Sequence, residues 1–358
     1  LSTQDPSHWS SRPESSSPRE FFYAPLNKGL RAVMRSGLLI RPIAFETMGV
    51  RGMCTYVETP DVKVLIDAGA SLGMRFGLIP HPREYRALSE ARKTIREYAA
   101  KSEVITVSHY HYDHYTPAWR DREYVWTWSC LEEAEAVYKD KLVLVKDIRS
   151  KINLSQRKRG WLFEKAIDGI AQRIEVADGR EFTFNETKLR FSPPVPHGEG
   201  GSGLGWVLML CIEHGGFKVL HTSDVQGPMS EEALEWILSQ QPSLVVVGGP
   251  PLYLSEGRVS GGSIAKGFRG LAELVKATRV AVDHHVARDE GWREQVASEL
   301  RALGVEARFV SAAELIGLSD NLLEARRRKL YEEEPPSEEF QRWSRLRGEE
   351  RRRTPPPI

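Results

Sequence analysis

The segment Ser108-His109-Tyr110-His111-Tyr112-Asp113-His114 follows an apolar, β-branched run, Val104–Ser108, that predicts a buried strand. His109 and His111 are two residues apart at the strand end, so their imidazole rings point to the same side of the chain. Asp113 and His114 follow where the chain turns into a loop. Neutral imidazole and carboxylate are preferred ligands of Zn²⁺. The segment therefore predicts a metal site rather than a solvated histidine-rich loop.

Further histidines and one aspartate also stand at predicted strand ends. His197 lies in a loop rich in proline and glycine, Asp224 follows a second strand, and the adjacent His284 and His285 follow a third. A single strand-end histidine is more often structural than a ligand, but the group as a whole is informative. The chain supplies seven candidate ligands, enough for two metals that share a bridging carboxylate: His109, His111, Asp113, His114, His197, Asp224 and one of His284 and His285.

This order of residues resembles the metallo-β-lactamase superfamily, from about Leu38 to Leu318. Within it, the sequence is similar to an uncharacterised, mostly archaeal branch of predicted metal-dependent hydrolases. The segments that carry this narrower resemblance are Ser108–Pro117, Asn153–Arg159, His221–Pro228 and Asp283–Asp289. The resemblance implies an α/β fold, the αββα sandwich, in which two packed mixed sheets carry helices on their outer faces.

The resemblance also implies roles for individual residues. One zinc would be held by His109, His111 and His197, a second by Asp113, His114 and His284, and Asp224 would bridge them. Asp67 and Ser108 would support the ligands from behind. Strand alternation lets only one of His284 and His285 face the metals and does not choose between them. Arg288, four residues after His284, favours His284, and His285 would then donate a proton to a leaving group.

The implied activity is hydrolysis by a hydroxide shared between two zinc ions, with manganese or iron as alternative metals. Asp113 would orient this hydroxide. The substrate is predicted to be anionic, a phosphodiester or a nucleic acid. A small lactone or thioester is the alternative substrate, and a non-catalytic metal-binding scaffold is the alternative function, because one fold hosts many activities.

A basic stretch, Arg157-Lys158-Arg159, interrupts the sandwich between its two halves. A solvated helix face is the more ordinary interpretation, and the functional one is a ledge that receives an anionic substrate. Aromatic residues also surround the histidine motif. Core packing is favoured over stacking on a base for these aromatic residues, which are Tyr110, Tyr112, Tyr115 and Trp119.

The chain divides into three predicted parts. Residues 1–35 are rich in serine, proline and arginine and predict a disordered leader. Residues 36–318 form the hydrolase domain, in which strands and helices alternate. Residues 319–358 predict a charged, helical tail whose last residues, Arg351–Ile358, are disordered.

Composition limits the class of protein. The 358 residues are 41% hydrophobic and 28% charged, as in soluble globular proteins, and no apolar run approaches the ~18 residues of a membrane span. A net charge of +1 gives no overall attraction to nucleic acid, so any attraction must be local. Three scattered cysteines and the lack of a signal-peptide pattern predict a cytoplasmic protein. Arginine outnumbers lysine 35 to 15, which indicates a thermophile or, equally, a GC-rich genome. The oligomeric state is not predicted.

Overall fold

The computed structural model describes residues 22–26, 30–200, 203–254 and 261–358. The strands in these residues are β1 Phe22–Leu26, β2 Leu30–Arg35, β3 Leu38–Phe45, β4 Met53–Glu58, β5 Lys63–Ile66, β6 Val104–Val107, β7 Leu142–Val145, β8 Arg173–Val176, β9 Glu181–Phe184, β10 Thr187–Phe191, β11 Val195–Pro196, β12 Trp206–Val207, β13 Leu210–His214, β14 Phe217–His221, β15 Leu244–Gly248 and β16 Arg279–Asp283. The α-helices are α1 Pro82–Ala99, α2 Leu131–Tyr138, α3 Leu154–Ile167, α4 Glu231–Ser239, α5 Gly261–Ala277, α6 Trp292–Ala302, α7 Ala312–Leu315, α8 Arg327–Glu333, α9 Glu338–Arg345 and α10 Gly348–Arg353. Short 3-10 helices span Glu46–Met48, Leu252–Leu254 and His284–Arg288.

Two mixed sheets form the centre of the fold. One has eight strands in the order β1 to β8, and the other has six in the order β16-β15-β14-β13-β10-β9. Strands β5 to β8 are parallel to one another, as are β14 to β16. The carboxyl ends of β5, β6, β14 and β16 lead directly to Asp67, the histidine motif, Asp224 and His284. Candidate ligands therefore follow parallel strands from both sheets.

Three apolar cores separate four layers, which confirms the predicted αββα sandwich. Alternate residues of one strand enter different cores because successive side chains point to opposite faces. In β7, Val143 packs with helices α1 to α3, whereas Leu142 and Leu144 pack between the sheets. In the second sheet, Val245 packs against α4 to α6 while Val246 faces the first sheet. Both faces of these strands are buried, which explains their continuous apolar sequences.

The first two strands lie inside the range 1–35 for which the sequence predicts no regular structure. Strand β1 pairs with β2, and β2 pairs with β3 through partners such as Val33 and Ile40. Pro25 argues against a strand in the sequence, but proline is tolerated on an edge strand such as β1. The structure therefore places two strands within the predicted leader, whose residues 1–21 and 27–29 lie outside the described residues.

The C-terminal segment packs on the first helical layer. Phe340 and Trp343 of α9 are buried in the same core as Tyr85, whose ring lies 6.0 and 5.4 Å from theirs. Arg327 of α8 makes a fully buried ion pair of 2.7 Å with Glu84 of α1. The predicted disorder from Arg351 onward also differs from the structure, since α10 continues to Arg353. Among the described residues, no helix is both long and apolar enough to cross a membrane.

Replacement of Phe340 by alanine should destabilise the fold by about 3–5 kcal/mol, because truncating a buried aromatic ring leaves a cavity. Denaturant unfolding should show a lower midpoint at an unchanged slope. Gln341→Ala, on the exposed face of the same helix, is the matched control. A change below about 0.5 kcal/mol for Phe340→Ala would contradict the packing of this segment as core.

Candidate metal centre

The histidine motif begins one residue after β6 and folds into a compact loop. The His109 ring lies 4.3–4.6 Å from the rings of His111, His114 and His197, and His109 and His114 are fully buried. The loop after β5 packs directly on the motif at Gly69. A side chain at Gly69 would lie 2.3 Å from the backbone nitrogen of Tyr115, so only glycine fits there.

Asp67 holds the motif in place through hydrogen bonds. Its carboxylate accepts hydrogen bonds from the backbone N–H of Ser108 at 2.9 Å and from the Ser108 hydroxyl at 2.7 Å. His114 Nδ1 lies 2.9 Å from the same carboxylate, so Nδ1 carries the proton and donates it. The Nε2 lone pair of His114 is thereby left free to bind a cation, as in metal sites where a carboxylate orients a histidine.

Two further histidines are oriented in the same way. His109 Nδ1 lies 3.0 Å from the Ser108 hydroxyl, and His197 Nδ1 lies 2.9 Å from the backbone carbonyl of Asp224. Donation from Nδ1 leaves the Nε2 lone pair of His109 free, whereas Nε2 of His197 faces the side-chain amide of Gln156 at 3.3 Å. Ligand atoms of His109, His111, His197 and Asp224 all lie within 4.8 Å of one another.

A second group of donor atoms adjoins the first. Ligand atoms of Asp113, His114 and His284 also lie within 4.8 Å of one another. His284 Nδ1 donates to Glu46 at 3.0 Å, and Arg288 holds the other oxygen of Glu46 at 2.8 Å. His284 therefore also presents a free Nε2.

Asp224 lies between the two groups. Its Oδ2 is 3.7 Å from His109 Nε2 and 3.5 Å from His111 Nδ1, whereas its Oδ1 is 3.4 Å from His284 Nε2. One oxygen thus faces each group. This is the geometry that a bridging carboxylate requires.

Buried atoms without partners test whether a cation fits. Among the described residues, three buried ring nitrogens in this cluster make no hydrogen bond: Nε2 of His109, His114 and His284. A buried polar atom without a partner costs about 1–3 kcal/mol. His109 and His284 present these atoms to Asp224 and His114 presents its own to Asp113, which indicates a site that fits cations, and imidazole with carboxylate suits zinc.

The electrostatics also favour a cation. Four carboxylates surround the imidazoles: those of Asp67, Asp224 and Glu46 are buried, and that of Asp113 is partly exposed. Burial raises the pKa of the Asp113 carboxyl, but His114, His284 and Arg288 outweigh it and hold that pKa below its usual value. For His284 burial lowers the pKa, yet Glu46 and Asp224 outweigh it and raise the pKa to about 10, so a cation at its Nε2 would take the place of a proton. The pocket therefore carries an excess of negative charge.

The adjacent pair His284 and His285 departs from strand alternation. Strand β16 ends at Asp283, and His284 has a left-handed backbone with φ 61°. Both rings consequently reach Asp224, with His285 Nε2 at 2.9 Å from its Oδ1. The expectation that only one ring faces the site is wrong, because it assumed an extended strand.

Three residues near the centre were not predicted from the sequence. Glu46 bonds His284, and the Tyr253 hydroxyl lies 2.8 Å from His285 Nδ1. The side-chain nitrogen of buried Gln156 lies 3.2 Å from His111 Nε2 and 3.3 Å from His197 Nε2. An acidic residue directly after β3 was a usable signal for Glu46, whereas nothing in the sequence marks the docking position of Gln156.

The cluster opens to solvent on one side. The side chains of His111 and Asp113 are 32% and 16% exposed, whereas those of His109, His114 and His284 are 0% exposed.

The predicted basic ledge does not join the cluster. Arg157 and Lys158 are exposed on the solvent face of α3. Arg159 turns inward instead and donates to the backbone carbonyl of Tyr110 at 3.4 Å.

Comparison with known proteins gives three findings. Residues 63–249 match the model of the beta-lactamase superfamily domain, a range that contains every candidate ligand except His284 and His285. A UPF0282 protein of Methanopyrus kandleri is 43% identical over 296 residues, covering 82% of this chain and 99% of that relative. A UPF0282 protein of Methanocaldococcus jannaschii is 39% identical over 302 residues, covering 84% and 98%. Among solved structures, a metallo-beta-lactamase fold protein of Bacillus subtilis is 13% identical with a TM-score of 0.44, covering 79% of this chain and 98% of that one.

Proposed function

This chain belongs to the beta-lactamase superfamily and to the UPF0282 family, and we propose that it is a dinuclear metal-dependent hydrolase of anionic esters. The observation that carries the proposal is the convergence of unpartnered, buried Nε2 atoms on Asp224. Such atoms support the binding of cations, and the opening of the cluster to solvent at His111 and Asp113 supports access of a substrate to them.

The proposal assigns His109, His111 and His197 to one cation and Asp113, His114 and His284 to the other, with Asp224 between them. Imidazole nitrogen and carboxylate oxygen suit zinc first, and manganese or iron as alternatives. Asp67 and Ser108 orient the ligands. Glu46 takes the same supporting role for His284.

Two such cations, when bound, polarise the electrophilic oxygen of a substrate and acidify water at the site. In the proposed reaction, Asp113 accepts a hydrogen bond from the attacking water and takes up its proton. His285 protonates the departing oxygen from its Nε2 while its Nδ1 takes up the proton of the Tyr253 hydroxyl, which lies 2.8 Å away, and the proton held by Asp113 restores Tyr253 after the product leaves. The attack forms a bond from the water oxygen to phosphorus, and the phosphorus–oxygen bond to the leaving group breaks.

We propose a phosphodiester as the substrate, because a pair of cations clamps both the attacking and the leaving oxygen of such a displacement. The limited opening at His111 and Asp113 is the observation that favours the second candidate, a small lactone or thioester. The three cysteines are free and buried, which supports the proposal of a reducing, cytoplasmic location.

The test compares bis(p-nitrophenyl) phosphate with a panel of lactones and thioesters, using protein loaded with zinc, manganese or iron. We expect turnover of the phosphodiester, and the Asp113→Asn variant should lose it roughly 100-fold or more. Turnover of lactones or thioesters alone would replace the substrate proposal. A fully metal-loaded protein inactive on the whole panel would overturn the proposal of a hydrolase.

A further inference from the structure

The solvent face of helix α3 is unusually apolar. Leu154, Trp161 and Leu162 have 80%, 52% and 44% of their surface exposed, whereas Gln156 and Phe163 of the same helix are buried. Surface helices normally turn their apolar side chains toward the core. Large apolar side chains exposed together on one helix indicate a binding surface.

Basic residues share this face. Arg157, Lys158 and Lys165 stand three, four and eleven positions after Leu154, so they form one stripe along the helix. Within the described part of the chain, no acidic side chain lies within 4 Å of the charged groups of these three residues. Their charges are therefore available to a ligand.

Two depressions meet at Trp161. The first has a volume of about 500 Å³ and is lined by Ile148, Arg149, Leu154, Arg157, Lys158 and Trp161. The second, of about 430 Å³, extends to Tyr112 and Trp119, with Arg120, Arg159 and Lys165 along it. Neither lining contains an aspartate or glutamate, although the chain as a whole has 49 of them and a net charge of only +1. Six basic side chains without an acid are a local positive surface.

Aromatic rings line the second depression. The Arg159 guanidinium lies 4.3 Å above the Tyr112 ring, and the Trp119 ring lies 5.3 Å from it. Lys165 lies 5.2 Å from the Trp161 ring. Packing was the expected role of the aromatic residues near the motif; it holds for buried Tyr110 and Tyr115, whereas Tyr112 and Trp119 are half-exposed.

The second depression lies beside the histidine motif. Tyr112, which lines it, stands in the chain between His111 and Asp113, the two most exposed residues of the cluster. The depression therefore adjoins the residues at which the cluster opens, although no candidate ligand lines it.

We infer that α3 and the adjoining depressions bind single-stranded nucleic acid and guide its backbone to the metal centre. The inference rests on the proposed function and names its substrate class. Single strands expose bases that stack on aromatic rings while the phosphates contact basic side chains. A duplex hides its bases, so the exposed ring of Trp161 and the half-exposed rings of Tyr112 and Trp119 favour a single strand.

Fluorescence anisotropy of the full chain with 5′-labelled strands of about twelve nucleotides, oligo(dT) and oligo(U) in separate arms, tests the inference. Binding is measured after metal removal by EDTA, so it does not depend on turnover. Arg157→Ser/Lys158→Ser should raise Kd about tenfold and reduce the slope of log Kd against log salt by about 1.4, since each phosphate contact contributes about 0.7. Trp161→Ala should raise Kd about tenfold through lost stacking.

Arg86→Ser/Lys93→Ser, which removes two exposed charges from α1, is the charge-matched control and should leave Kd within twofold. Unfolding midpoints verify that each variant is folded. Preference for oligo(U) or oligo(dT) assigns RNA or DNA. Equal affinity of the α3 and α1 variants, or binding to phosphatidylserine vesicles instead of oligonucleotides, would overturn the inference. Oligonucleotide binding without hydrolysis would reject the proposed function and keep the inference. Phosphodiester turnover without oligonucleotide binding would reject the inference and keep the proposed function.

Discussion

Replacement of Asp224 by alanine is expected to remove both metals and to lower kcat/KM on the phosphodiester by roughly a thousandfold, or about 4 kcal/mol of transition-state stabilisation. The reason is the position of this carboxylate. Its Oδ2 lies 3.7 Å from His109 Nε2 and its Oδ1 lies 3.4 Å from His284 Nε2, so one substitution removes a ligand from both groups.

Elemental analysis after gel filtration measures the first effect. We expect about two metals per chain for the wild type and well under one for Asp224→Ala, because neither group retains enough charge to hold its cation at nanomolar free metal. Asp168→Ala removes an exposed carboxylate beyond the end of α3 and should retain both metals and full activity. If Asp224→Ala retains two metals, Asp224 does not bridge.

The fold of the core could be predicted because each of its strands has a sequence pattern that is visible locally. Strands β5, β6, β14 and β16 are followed directly by polar side chains, and parallel strands bring their carboxyl ends together at one edge. The layer order then follows from burial on both faces of each sheet. The edge hairpin β1–β2 was missed because Pro25 and the surrounding serine- and arginine-rich sequence hide its alternation.

The supporting residues of the site were harder to predict than the ligands. The candidate ligands share a chemistry and a position at strand ends, whereas Gln156 reaches His111 and His197 only because α3 docks beside the motif. Asn153 begins that helix by accepting a hydrogen bond from the Gln156 backbone N–H, but the position of the helix depends on packing between distant segments. The contact of Tyr253 with His285 could not be predicted for the same reason, because it also depends on how separate segments pack.

Which of His284 and His285 can bind a cation depends on the tautomer of each ring as well as on distance. Glu46 can only accept a hydrogen bond from His284 Nδ1, so His284 Nε2 keeps its lone pair. His285 carries its proton on the other ring nitrogen. Arg288 donates to the Tyr253 hydroxyl at 2.9 Å, and this hydroxyl then donates its own hydrogen to His285 Nδ1 at 2.8 Å. The proton of His285 therefore lies on Nε2, which faces Asp224 and cannot bind a cation.

His284→Ala and His285→Ala should consequently separate metal binding from proton transfer. We expect His284→Ala to retain one metal per chain and to lose activity about a thousandfold, because one group is left without a ligand. His285→Ala should retain both metals and lose about a hundredfold in kcat. The loss in kcat should be smaller for substrates whose leaving group needs no proton, such as p-nitrophenolate, than for substrates whose leaving group needs one. The two variants delete the same side chain at neighbouring buried positions and act as controls for one another. Loss of a metal from His285→Ala but not from His284→Ala would transfer the ligand role to His285, and it would place the proton of His285 on Nδ1.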